Sequence, residues 1–194
     1  IDLARRGFDV VGVDLSDYML GKCKEAAAGE GIEVKLVRAD MREIDFDAEF
    51  DAVINMFTSF GYLESDEEDQ KALDAVGRAL KPGGRFLVDL QNRDSLMRRF
   101  QERDWQENER GDLSVFQRSF NPLTGRADCR EITVYSDGRR TDLPHSIRIY
   151  TYSELARMLN AAGLEVESVW GGYDGSELTL DSRRMITIAR KPVP

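Results

Sequence analysis

Near the front of the chain, the run Val10-Val11-Gly12-Val13-Asp14-Leu15-Ser16 joins a short apolar segment to an acid and then to a serine suited to cap a helix. A carboxylate at the tip of such a strand can accept two hydrogen bonds from a vicinal diol. In nucleotide-binding α/β folds an acid so placed takes the hydroxyls of an adenosine ribose. A glycine-rich strand-turn-helix normally lies about 20 residues before that acid. Here thirteen residues precede Asp14, and the chain opens on Ile1. The expectation is therefore a chain whose first strand and glycine loop are absent, so that its own binding of a cofactor is in question.

Other residue types at strand ends carry possible chemistry. Asp40 follows the apolar run Val34–Arg38, and Asn55 closes the run that starts at Phe50. Ligands in open α/β sheets sit outside the carboxyl ends of the strands, which is where both fall. The stretch Met56-Phe57-Thr58-Ser59-Phe60-Gly61-Tyr62 follows directly and is rich in aromatic rings. A cation near an aromatic face gains about 0.5–2 kcal/mol. The single histidine, His145, lies far along the chain, and Tyr150, Tyr173 and Asp174 could reach a pocket mouth from the insertion end and the long loop. Cys23 and Cys129 match no metal-ligand spacing, so no metal site is expected. Unpaired cysteines so few in number suit a reducing, cytoplasmic location.

Strands alternating with helices must position these groups. Val10–Asp14 reads as a strand too continuously apolar to face water. Ser16 caps a helix from Asp17 to about Ala28, with Met19, Leu20 and Cys23 on one face. Val34–Arg38 and Phe50–Met56 are further strands. A helix from Asp66 to Leu80 carries an inner stripe of Leu73, Val76 and Leu80. It stops at Lys81-Pro82-Gly83-Gly84, and Arg85–Leu90 is the next strand. This order implies right-handed βαβ units and a parallel sheet. The pattern then changes. Leu113–Tyr150, with turns at Asn121–Gly125 and Ser136–Gly138, reads as an inserted three-stranded antiparallel meander. Thr151 and Glu154 form a capping box for a helix ending at Gly163. Leu164–Trp170 and Met185–Arg190 are the last strands, joined by a loop long enough to serve function.

Composition narrows the classes. The formal net charge is -9, which argues against nucleic acid because phosphate neutralisation needs an excess of Lys and Arg. No apolar run approaches the ~20 residues of a membrane span.

The order of elements resembles the class I S-adenosylmethionine-dependent methyltransferases over about Ile1–Leu90 and Tyr150–Lys191. Four segments carry the resemblance: Gly12–Ser16 with Met19-Leu20, Ala39-Asp40-Met41, Phe50-Asp51-Ala52-Val53, and Leu80–Gly84. It implies a Rossmann-like α/β core, a mostly parallel sheet with an antiparallel last strand. The core would comprise 1–91 and 150–194, with 92–149 as an antiparallel β cap. It implies S-adenosylmethionine as methyl donor and in-line transfer to a small-molecule acceptor. Asp14 would then bind the ribose, and Leu15 and Met19 would pack on the adenine. Asp40 would accept the adenine amine, and Met41 would lie on the ring. Asn55 and Phe57 would face the methionine part of the cofactor. Phe60, Tyr62, His145 and Tyr173 would line the acceptor pocket, His145 being the one candidate base. The cap is where this family places acceptor recognition or a homodimer contact. Two other readings stay open: a nicotinamide-dependent oxidoreductase, which shares the strand-end acid, and a non-catalytic interaction module on the same scaffold.

Overall fold

The computed structural model describes Ile1–Pro194. A one-turn helix α1 (Asp2–Arg5) leads through Gly7 to β1 (Val11–Asp14). Helix α2 (Asp17–Gly29) then crosses to β2 (Lys35–Arg38), which pairs with β1 in parallel. The start of α2 is fixed locally: the Ser16 hydroxyl oxygen accepts the Met19 N–H, satisfying one of the donors a helix leaves free. Strand β3 (Phe50–Asn55), helix α3 (Asp66–Ala79) and strand β4 (Leu80–Gln91) form a second parallel unit. Ser65 caps α3 in the same way.

A short helix α4 (Arg93–Arg98) leads into the third sheet, made of β5 (Arg103–Glu107), β6 (Leu113–Asn121), β7 (Arg126–Val134) and β8 (Arg140–Arg148). Helix α5 (Tyr152–Ala161) returns the chain, with both halves of the expected capping box formed by Thr151 and Glu154. Strands β9 (Glu165–Trp170) and β10 (Arg184–Arg190) complete a sheet of order β3-β4-β10-β9, with β10 antiparallel to both neighbours. The core lies between this sheet and helices α3 and α5. Leu73, Phe86, Val88, Leu155, Leu159, Leu164 and Met185 are its buried centre. Their spacing in α3 and α5 gives each helix one apolar stripe, and burying that stripe rather than propensity holds the helices.

Four expectations are corrected. The parallel strands form two separate sheets, because β1 pairs only with β2 and β3 only with β4. For the same reason β1 is not buried: Val13 and Asp14 are exposed, since no strand covers the second edge of β1. Lys81–Gly84 does not interrupt the chain. Strand β4 starts at Leu80, and the two glycines and the proline are absorbed as an irregularity in its pairing with β3. The meander has four strands. Its extra edge, β5, is charged and wholly exposed, so main-chain pairing with β6 forms it without the apolar alternation that marks a strand in sequence.

Candidate active site

The carboxyl ends of β1 and β2 lie side by side, and Arg42, just past β2, ties them to the first turn of α3 through a guanidinium that bonds both Asp40 and Glu68. At the end of β1, Asp14 is exposed, and its Oδ1 accepts the Ser16 N–H at 2.8 Å. The other carboxylate oxygen has no hydrogen-bond partner in the chain. Leu15 and Met19 stand beside it at 60% and 54% exposure. Met19 therefore leaves the face it was expected to share with Leu20 and Cys23, both of which are half-buried. Asp40 is half-buried and receives three bonds from Arg42, which hold its carboxyl below the usual range. Met41 packs against the core.

Past β3 the backbone takes an unusual path. Phe57 and Thr58 both adopt positive φ, 58° and 62°, a left-handed conformation that costs a non-glycine residue about 1–3 kcal/mol. The Phe57 ring is consequently thrown outward, 75% exposed. Asn55, at the strand end before it, has a buried Oδ1 with no hydrogen-bond partner. An orphaned buried acceptor is rare.

Asp89 in β4 underpins this turn. It is fully buried. Its Oδ2 accepts the Phe57 N–H at 2.9 Å and the Tyr173 hydroxyl at 2.5 Å, and its Oδ1 accepts from Arg184 at 2.6 Å. Burial alone would push the Asp89 carboxyl up. The bonds from Arg184, Tyr173 and Phe57 outweigh it and hold the carboxyl below the usual range. Tyr173 itself is pushed up to about 12 by desolvation and by the Asp89 charge, so its phenol keeps its proton at neutral pH.

The cap meets the core through a second buried polar cluster. Arg148, at the end of β8, bonds Asp66 at 3.0 Å and Glu154 at 2.7 Å, with its guanidinium 4.5 Å from the Tyr150 ring centroid. The Tyr150 hydroxyl donates to Asp69 at 2.7 Å. Burial pushes the Asp69 carboxyl up despite that bond. This cluster ties the last cap strand to the first turns of α3 and α5. It also corrects two expectations. Tyr150 is buried and cannot reach a pocket mouth. Phe60 is 1% exposed and packs on Tyr150 at 5.5 Å between centroids, so it is a core residue and not a wall of the acceptor pocket. Next to it Gly61, at φ +106°, lets the chain pass close to the Arg148 backbone, whose N–H donates to the Gly61 carbonyl at 2.8 Å.

Tyr62 and His145 do come together, with ring centroids 6.2 Å apart, Tyr62 being half exposed. Phe120 of β6 packs on Phe100 and lies under the Arg93 guanidinium. Phe120 and His145 project from the same face of the third sheet, because Phe120 pairs with Ala127 in β7, which pairs with Ile147, two residues from His145. That face meets the segments that follow β3 and β4, through Tyr62 and Arg93. Asp89, Arg184 and the Arg148 cluster escaped the sequence reading. One signal was present: an acid inside the otherwise apolar run Phe86-Leu87-Val88-Asp89-Leu90.

These features fit a nucleoside with a sulfonium side chain. Asp14 offers a free carboxylate oxygen, Asn55 an unmatched acceptor, and Leu15, Met19 and Phe57 an apolar surface that would otherwise face water. The profile of the "Methyltransferase domain" family matches residues 1–84. The chain is 28% identical over 202 residues to the putative methyltransferase YqeM of Bacillus subtilis (strain 168), spanning 98% of this chain and 78% of that protein. The CcbJ methyltransferase from Streptomyces caelestis has the same fold, with TM-score 0.88 at 23% identity over 98% of this chain and 78% of its own. CalS10 of Micromonospora echinaspora, an amino pentose methyltransferase solved with S-adenosylmethionine bound, matches with TM-score 0.67 at 25% identity over 94% of this chain and 73% of its own. The oxidoreductase and interaction-module readings find no support there. The first 84 residues match the methyltransferase-domain family, and over almost its whole length the chain is similar to S-adenosylmethionine-dependent methyltransferases.

Proposed function

We propose that this protein transfers a methyl group from S-adenosylmethionine to an amine nitrogen of a small molecule. The observation that carries the reading is the outward Phe57 ring, held in a strained turn beside the orphaned Asn55 acceptor. The amino pentose acceptor of CalS10 supports a small amine. The core would be 1–91 and 150–194, and 92–149 the cap. Asp14 would hold the ribose hydroxyls, Leu15 and Met19 would cover the adenine, and Asp40 with Met41 would close the far side of the ring. Asn55 would accept from the methionine ammonium, with Phe57 along the methionine portion.

The cofactor supplies an activated methyl on a sulfonium. The chain's own residues supply placement and a dry surface. Orienting acceptor and donor in line removes entropy from the barrier, an effect worth several kcal/mol. A neutral amine needs no strong base once it is placed. Tyr173 keeps its proton and donates it in a hydrogen bond to Asp89, so toward the acceptor it acts as a wall. His145 and Tyr62, on the cap side, would face the acceptor. The exposed face of β5–β8 that carries Trp105, Val115 and Ile132 would pair two copies of the chain. The balance of acidic over basic residues goes with a small acceptor and not a nucleic acid.

The test is transfer of labelled methyl from S-adenosylmethionine to a panel of amino sugars, small amines and matched alcohols, with products read by mass. Label on nitrogen of at least one amine supports the reading. Label only on oxygen, or none with any acceptor, overturns it.

A further inference from the structure

We propose that Asp89 is a positioning residue for methyl transfer, clamping the Phe57–Thr58 turn and the Tyr173 loop into one unit. The inference rests on the function proposed above. Its geometry stands apart from it.

Asp89 holds two successive amides of a turn whose own bonds run from the Ser59 N–H and hydroxyl to the Met56 carbonyl. Its carboxylate takes the Phe57 N–H and its main-chain oxygen takes the Thr58 N–H at 2.9 Å. Two residues on, the Gln91 N–H donates to the Thr58 hydroxyl at 3.0 Å. Both Phe57 and Thr58 are left-handed, a state that survives only where the surroundings over-determine it. Strand β4 supplies those surroundings with three bonds.

The same carboxylate reaches the other loop. The Phe57 N–H and the Tyr173 hydroxyl converge on one oxygen, Oδ2. Arg184 occupies the other oxygen and also donates to the Asp89 main-chain oxygen. The positions of the two exposed rings, Phe57 and Tyr173, are thus set from one buried point. Further along, Asn92 anchors the same loop by donating to the carbonyls of Thr179 and Ser182, both at 2.9 Å. Filling the core does not require an acid here, because an apolar side chain of like volume would avoid the desolvation cost of a buried charge. What an apolar residue could not do is take the three donors, Phe57, Tyr173 and Arg184.

Asp89→Ala removes the side-chain acceptors of Phe57, Tyr173 and Arg184 and leaves the main-chain oxygen in place. Tyr173→Phe removes one oxygen and leaves the Phe57 bond intact. Amide hydrogen exchange on the protein without ligand reads the clamp directly. Asp89→Ala is expected to speed exchange about tenfold or more at Phe57, and to speed it at Gly171 and Gly175, with Leu155 and Leu159 unchanged. Tyr173→Phe should speed only the glycines. With the amine acceptor found in the transfer assay, Asp89→Ala should lower kcat about tenfold or more while the Kd for S-adenosylmethionine moves less than about threefold. Unchanged exchange at Phe57 overturns the clamp. Exchange that rises uniformly, α5 included, makes Asp89 a structural residue only, and so does an intact kcat. If the unaltered protein transfers no methyl, the functional reading fails and Asp89 has no role in transfer, while the exchange data still decide whether the clamp exists.

Discussion

Asp14→Asn isolates the ligand half of the strand-end acid. In the structure Oδ1 of Asp14 accepts the Ser16 N–H at 2.8 Å and supports the turn into α2. Asparagine retains that acceptor, so the turn and the Ser16 cap survive. The second oxygen becomes an amide nitrogen, which cannot accept from a ribose hydroxyl. A hydrogen bond to a charged group contributes about 1.5–3 kcal/mol, which corresponds to roughly 10- to 150-fold in Kd. Asp14→Ala should lose the same affinity and, in addition, the Ser16 bond, about 1 kcal/mol of stability. In a chain of this size that lowers Tm by roughly 2–4 °C. Calorimetric titration with S-adenosylmethionine, paired with thermal unfolding, separates the two effects. The expected pattern is weakened binding in both variants and a lowered Tm in the alanine variant alone. Binding by Asp14→Asn within about twofold of the unaltered protein would refute the assignment of Asp14 to the ribose.

Other consequences concern the joint between cap and core. Arg148→Met leaves Asp66 and Glu154 facing each other without their cation and should cost about 3 kcal/mol, a fall in Tm of roughly 6–12 °C; a fall under about 2 °C would show that the cluster adds little. Burial of Glu154 opposes its charge, yet Arg148 and Thr151 hold its carboxyl down to about 2 from an ordinary 4.5. Because the folded value is depressed, the stabilisation is complete above the ordinary value and is lost as pH falls from there toward 2. At neutral pH it is on the order of 3 kcal/mol. Asp69, pushed up by burial, works in the opposite sense. Urea unfolding at a series of pH values should therefore show a gap between the unaltered protein and Glu154→Gln that narrows below about pH 4.5, and a gap independent of pH would contradict the assigned pairing. Gly61→Ala should cost on the order of 2–3 kcal/mol, since its Cβ would sit 2.5 Å from the Arg148 carbonyl oxygen; an unchanged urea midpoint would mean that the backbone there yields. Trp105→Asp should convert a sedimenting dimer to a monomer with its Tm kept, and a protein monomeric from the outset removes the proposed pairing of caps.

Much of the fold could be read from local pattern. The strand-to-helix transitions at Ser16, Ser65 and Thr151 are written in side chains that cap their own helices, and the apolar stripes of α3 and α5 name most of the core. The site was legible in placement along a strand: Asp14 and Asn55 close β1 and β3. It was misread where packing decided. Phe60 and Tyr62 are two residues apart in one aromatic run, but the run turns at Gly61, so Phe60 falls under the cap and Tyr62 faces outward. The extra strand β5 was invisible because its edge position asks nothing of its side chains.

The sequence by itself determined which class of chemistry stands at the strand ends, because a strand's carboxyl end and the cap that follows it are local properties of the chain. Only the tertiary structure decided which groups act together. Asp89 and Tyr173 are 84 residues apart, and Asp89 and Arg184 are 95 apart. They meet because β10 inserts between β4 and β9. No spacing in the sequence records that insertion, since the pairing is a contest among strand edges settled by burying the core.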